Sequence, residues 1–249
     1  MTATADAAAV PAMGPFARAL GVITAPRATF ERVVASPKPV GVLLLVALVI
    51  ALTAGAPQFT ASGRQTALDS QVQANERFLG RDLTDAEYAR AERMSHYGAY
   101  VAIGGTFVVL PIFSLIFAAI YWVVFNTILG GTAAFKQVLA IVTHSQVVGA
   151  LGAAIGAPIQ LMQGKITAGG PFNLGAAVPM LNEGSPLSTL LTSTSIFTIW
   201  GLIITAIGLA VLYRRKSVNI AIGLIVAYMA IAYTLISVVG SMFGGGAGR

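Results

Sequence analysis

The chain has 249 residues and no cysteine; 56% of it is apolar, 10% is charged, and its mean hydropathy is +0.81. A soluble domain of this size carries about 25% charged residues, so an ordinary soluble enzyme is excluded and much of the surface must face lipid. The missing cysteines exclude disulfide scaffolds, thiolate zinc sites, iron–sulfur clusters and cysteine nucleophiles.

Residues 1–15 are rich in Ala, Thr and Pro, with no basic start and no long apolar core, so they read as a disordered N-terminus rather than a signal peptide. Residues 16–38 follow as an amphipathic segment. Phe16, Leu20 and Ile23 recur at helical spacing, and after Pro26 so do Phe30, Val33 and Val34, flanked by Arg18, Arg27 and Arg32. Two short helices result, suited either to anionic headgroups at the inner interface or to docking on the protein's own cytoplasmic face.

Beyond Lys38 the charges thin out. Charge-free runs place five membrane-crossing helices near 39–56, 101–124, 137–161, 191–213 and 218–241, each close to the roughly 20 residues a bilayer requires. The runs are continuous rather than alternating, which excludes a membrane β-barrel. Tyr100 and Trp122, 22 residues apart, would lie roughly 33 Å apart along a helix and mark both interfaces of the second span. The fold class is therefore all-α: a polytopic bundle of five transmembrane helices over residues 39–242, with short amphipathic N-terminal helices and a short tail, 243–249.

The 57–96 loop between the first two spans is polar and charge-balanced. Thr84 and Glu87 have capping-box spacing and predict a helix leading into the second span. The 162–190 loop is rich in turn residues, and without a flanking strand its glycines form no phosphate loop.

Orientation follows from the bases. With the N-terminus inside, Arg18, Arg27, Arg32, Lys38, Lys136, Arg214, Arg215 and Lys216 face the cytoplasm, and the outer segments are neutral. The whole net charge of +6 then sits on one side of the membrane, which accounts for it without nucleic acid. Lys136 and the Arg214-Arg215-Lys216 turn are the main topology determinants, and the C-terminus lies outside.

No Asp, Glu, Lys or Arg lies deep in a span. The polar candidates are Asn126, Gln137, His144 and Gln146, a possible intramembrane cluster near His144 that Gln160 could also join. Gly149, Gly152 and Gly156 in the third span, and Gly201 and Gly208 in the fourth, are placed for close helix packing. Pro111 and Pro158 should loosen their helices, and Tyr228 and Tyr233 need partners inside the bundle. Catalytic patterns are poor: the one base in a span, His144, neighbours Ser145 on a helix, so their side chains diverge by about 100°. Two histidines, one outside the spans and one within them, make no metal site. Neither an enzyme nor a cofactor is expected.

Two segments carry a family resemblance. Leu20-Gly21-Val22-Ile23-Thr24-Ala25-Pro26-Arg27-Ala28-Thr29-Phe30 precedes the first span, and Phe125-Asn126-Thr127-Ile128-Leu129-Gly130-Gly131-Thr132-Ala133-Ala134-Phe135-Lys136-Gln137-Val138-Leu139 links the second to the third. With the five spans, they make residues 16–242 resemble the bacterial branch of the Yip family, the five-span Ypt/Rab-interacting proteins. The resemblance implies the fold and topology, and a place in a bacterial inner membrane. Its eukaryotic members are adaptors for prenylated GTPases, but the long acidic N-terminus of many of them is missing here. The expected function is that of a non-enzymatic membrane-organising or scaffold protein whose partners are the bilayer and a membrane protein or a second copy. The alternative is a small-solute permease or channel built around His144.

Overall fold

Prolines open the first three helices, because their missing N–H groups fall where a helix has no use for them. Pro15 begins α1 (Pro15–Thr24), Pro26 begins α2 (Pro26–Ala35) and Pro39 begins α3 (Pro39–Gly55). The structure, a computed structural model, describes residues 13–167, 169–178, 180 and 185–243. The expected disorder of 1–15 lies outside these for residues 1–12, as does the tail beyond 243. Met13 itself is tied down: its carbonyl accepts from Arg18 Nε at 3.1 Å and its sulfur from Arg32 at 3.1 Å.

After α3 a 3₁₀ turn (Ala56–Phe59) leads to α4 (Ala61–Leu79) and α5 (Asp85–Ser95). Then come α6 (Gly98–Trp122), α7 (Phe135–Met162), α8 (Pro186–Ser193), α9 (Ile196–Tyr213) and α10 (Ser217–Phe243). There is no strand among the described residues, only an isolated bridge between Asn173 and Ser195. Among the described residues five segments are long and apolar enough to cross a membrane: Pro39–Phe59, Gly98–Ile128, Phe135–Met162, Ile196–Tyr213 and Ser217–Ser241. Both α6 and α7 run through their internal prolines, Pro111 and Pro158.

The bundle is built around α7. Its most apolar stretch is 56% buried, against 11% for α6 and none for α10. It packs on α3, α6 and α9 and on both N-terminal helices, whereas α10 leans mainly on α9 and α8. The main core joins Val138, Ile141 and Val148 of α7 to Ile204 and Leu209 of α9, and Val22, Phe30 and Val33 of the N-terminal helices close it from one end. A second cluster sets Ala19, Val42 and Val46 against Val147 and Ala150.

The amphipathic segment thus docks on its own bundle. In α1 the docked face is Ala19 and Val22, while Phe16 and Leu20 point outward. Arg18 is buried, and its guanidinium donates to the carbonyl of Ser36, the residue that ends α2, at 3.2 Å. That charge serves the α1–α2 corner rather than a headgroup.

The polar loop contains more helix than its capping box announced. Thr60 caps α4 by accepting from Gly63 N–H at 3.0 Å, and Gly80, at φ +66°, ends it. The predicted capping box forms at α5, and Arg81 adds a two-pronged ion pair to Glu87 at 2.9 Å on each oxygen.

The fourth crossing starts later than its charge-free run suggests. Thr194 and Ser195 are extended, so α8 ends at Ser193 and α9 starts at Ile196, with Ser195 accepting from Phe197 N–H at 3.2 Å. The sequence Thr192-Ser193-Thr194-Ser195 explains the break, because such hydroxyls offer the backbone local alternatives to the helical ladder.

Two expectations follow. Phe30 is fully buried, so Phe30→Ala should cost about 3–5 kcal/mol of docking; faster trypsin cleavage at Arg27 and Arg32 in native membranes is the readout. The second concerns Glu87, whose carboxyl is held well below the usual range, first by the Arg81 hydrogen bonds and then by Thr84. A carboxyl lowered on folding stabilises α5 above its unfolded value of about 4.3, and that support is lost as pH falls through its lower folded value. Amide exchange should therefore show α5 protection persisting to about pH 4 and fading only in stronger acid, with that acid-dependent step missing in Glu87→Gln.

Candidate functional site

The polar residues inside the spans fall into separate stations along the bundle. Asn126 sits in a π-helical turn (Val123–Ile128) that ends the α6 crossing. Its amide donates to Ala133 O at 2.7 Å, and its Oδ1 accepts from Ala133 N–H at 3.2 Å and from the Tyr213 hydroxyl at 2.9 Å. Trp122 Nε1 donates to the same Ala133 carbonyl at 2.9 Å. These bonds clamp the Gly130-Gly131 turn. Gly130 takes φ +71°, and a Cβ on Gly131 would strike the Tyr213 ring and the Phe125 carbonyl. Two glycines are therefore what this turn requires.

Gln137, in the first turn of α7, caps that helix by accepting from Ala134 N–H at 3.0 Å. Its amide donates to Val34 O at 3.1 Å, tying α7 to α2. Gln146 lies about 14 Å further along the helix and pairs with Ser114 of α6: its Nε2 donates to the serine at 2.9 Å, and the serine sits 3.2 Å from its Oε1. His144 is fully buried. Its Nδ1 donates to Ala140 O at 2.7 Å, and Nε2 has no hydrogen-bond partner among the described residues. Ser145 donates to Ile141 O at 2.9 Å, back into its own helix. Gln160 accepts from Thr167 N–H at 2.7 Å beyond the end of α7. No hydrogen bond joins any two of Asn126, Gln137, His144 and Gln146 among the described residues. Each binds a different neighbour.

The small residues divide as well. Gly208 lies against Ile141 and the Phe30 ring, Gly152 against the Phe197 ring and Gly156 against Pro171, whereas Gly149 and Gly201 face open space. Gly149, Gly152 and Gly156 line a cleft of about 270 Å³ together with Thr167, Gly170 and Pro171. Tyr228 finds a partner in Thr194 at 3.1 Å, while Tyr233 stands 46% exposed on the flank of α10.

At the basic turns, Lys136 follows the clamped Gly130-Gly131 turn, and Arg214, Arg215 and Lys216 join α9 to α10. Arg214 ends α9 at φ +52°, the one non-glycine residue at positive φ among those described. Arg215 donates to Leu129 O at 2.9 Å and so links the two turns. Three of these residues carried no signal of their contacts in the sequence: Ala133 and Leu129 act through backbone carbonyls, and Tyr213 meets Asn126 from 87 positions away.

No three His, Cys, Asp or Glu side chains gather in a metal-ligating group among the described residues. The fold and these stations define a class: a polytopic helical membrane protein whose intramembrane polar groups mostly bind helix to helix or turn to turn. Within that class the chain belongs to the Yip1-domain family, whose model matches residues 20–239, from the middle of α1 to the last turns of α10. No curated protein and no solved structure matches the chain.

The glycine contacts separate two kinds of position. Gly208→Ala should lower stability by about 1–3 kcal/mol through overpacking against Ile141 and Phe30. Gly201→Ala should stay within about 0.5 kcal/mol. Thermal unfolding of the purified protein in detergent compares them directly.

Proposed function

We propose that this Yip1-domain protein is a non-enzymatic scaffold or adaptor that organises a membrane by binding another membrane protein or a second copy of itself. The N-terminal segment and the basic turns lie on the cytoplasmic side of a bacterial inner membrane in this reading, with residues 16–38 forming a collar and 39–242 the membrane domain. The supporting observation is the use made of the polar groups: Asn126, Gln137, Gln146 and Tyr228 each tie one element to another. That is the pattern of a frame held in shape. The flanks of α6 and α10 meanwhile leave Phe113, Ile116, Ile222 and Ile231 exposed, a wide apolar surface for lipid or a partner helix.

One observation favours the second reading, a small-solute permease. His144 is buried and its Nε2 has no partner among the described residues, a group able to accept a hydrogen bond from a polar solute.

Reconstituted vesicles separate the two. A scaffold leaves ion and small-solute gradients intact in wild type and in His144→Ala alike, and photo-crosslinkers at Ile222 or Ile231 capture one membrane protein or a second copy. Flux in wild type that is lost in His144→Ala would transfer the assignment to the permease.

A further inference from the structure

The N-terminal collar and the α9–α10 turn enclose a cleft of about 410 Å³. Arg27 and Glu31 of α2 form one wall, Ala210 and Val211 of α9 another, and Arg214, Arg215 and Lys216 close it. Four cations thus meet one carboxylate, and that carboxylate is shared with Arg27 at 3.5 Å across an exposed pair. Among the described residues, Arg214, Arg215 and Lys216 make no ion pair.

Three consecutive cations repel one another, and the backbone adds to the cost. Arg214 occupies the left-handed region, where glycine would make the same turn without a steric penalty. Arg215 is steadied by its bond to the Leu129 carbonyl, which fixes part of its planar fork beside the cleft. The amino end of the 27-residue helix α10 opens from the same turn and adds its positive dipole end. Charge, fork geometry and dipole all call for a phosphate.

Depth in the membrane selects the source of that phosphate. The turn joins the end of one apolar crossing, Ile196–Tyr213, to the start of the next, Ser217–Ser241, which places the cleft at headgroup level. Beside it, Val218 and Ile222 lie one helical turn apart and exposed, an apolar track leading away from the cations.

We propose that this cleft is a binding site for the phosphate headgroup of an anionic phospholipid, with the acyl chains lying along the exposed flank of α10. Arg27, Arg214, Arg215 and Lys216 bind the phosphate, and Glu31 opposes it. The site is independent of the scaffold reading and of which face is cytoplasmic.

The test is thermal unfolding of the full-length protein in detergent micelles titrated with phosphatidylglycerol, phosphatidylcholine or inorganic phosphate. Phosphatidylglycerol should raise the unfolding temperature, and the other two should not. Arg214→Gly should weaken the apparent affinity about five-fold or more, as expected for one interfacial cation, without lowering the lipid-free unfolding temperature, because glycine relieves the left-handed backbone. Lys216→Gln, which leaves that backbone unchanged, should weaken it similarly, and Glu31→Gln should strengthen it. An equal rise with phosphatidylcholine, a rise reproduced by inorganic phosphate, or an undiminished response in both Arg214→Gly and Lys216→Gln would overturn the proposal.

Discussion

Within a bilayer, lipid tails are as apolar as leucine, so bringing two inserted helices together gains nothing from the hydrophobic effect. Close packing and a few hydrogen bonds must hold the bundle instead. Here both converge on α7. Its small and branched residues, from Val138 to Ala150, accept α3, α6, α9 and the N-terminal helices on several sides. Glutamines fasten it at three levels: Gln137 to Val34, Gln146 to Ser114 and Gln160 to Thr167. The amide side chain suits this task because it can donate and accept at once, as Gln137 and Gln146 do.

The N-terminal segment meets water on one side, so there the hydrophobic effect does operate. Phe30, Val22 and Val33 leave water completely, each worth roughly 1.5–3 kcal/mol. That gain supports the burial of Arg18, whose charge is met by the carbonyls of Met13 and Ser36 rather than by an acid. The collar is therefore part of the folded body, while Phe16 and Leu20 keep an apolar edge turned away from it.

Much of this architecture was legible in the sequence, because the cost of carrying charge into lipid leaves gaps that can be read directly. The five crossings, the amphipathic helices and the Thr84–Glu87 cap all follow from residue type and spacing. The start of α9 was harder: an uncharged run cannot show where hydroxyls interrupt a helix, although the four Thr and Ser residues at 192–195 were the available clue. Helix α4 was missed for lack of an apolar stripe, yet Thr60 and Gly80 bracket it. The polar candidates could be named but not grouped, since helical spacing says which face a residue occupies and not which neighbour it meets. Asn126 turned inward to a backbone carbonyl, a partner with no signature in the sequence. Gly208 and Gly201 differ for the same reason: they share one helix, but only one lies opposite Phe30.

The shallow attachment of α10 bears on how the protein is made. Among the described residues Ile220 is the one buried core residue this helix supplies, with Ala221 and Leu224 only partly buried against it, so the core that joins α7, α9 and the N-terminal helices can form largely while α10 is still in the ribosome and translocon. Its arrival then adds the packing against α8 and the Tyr228–Thr194 hydrogen bond, and synthesis in chain order coincides with assembly from the centre outward.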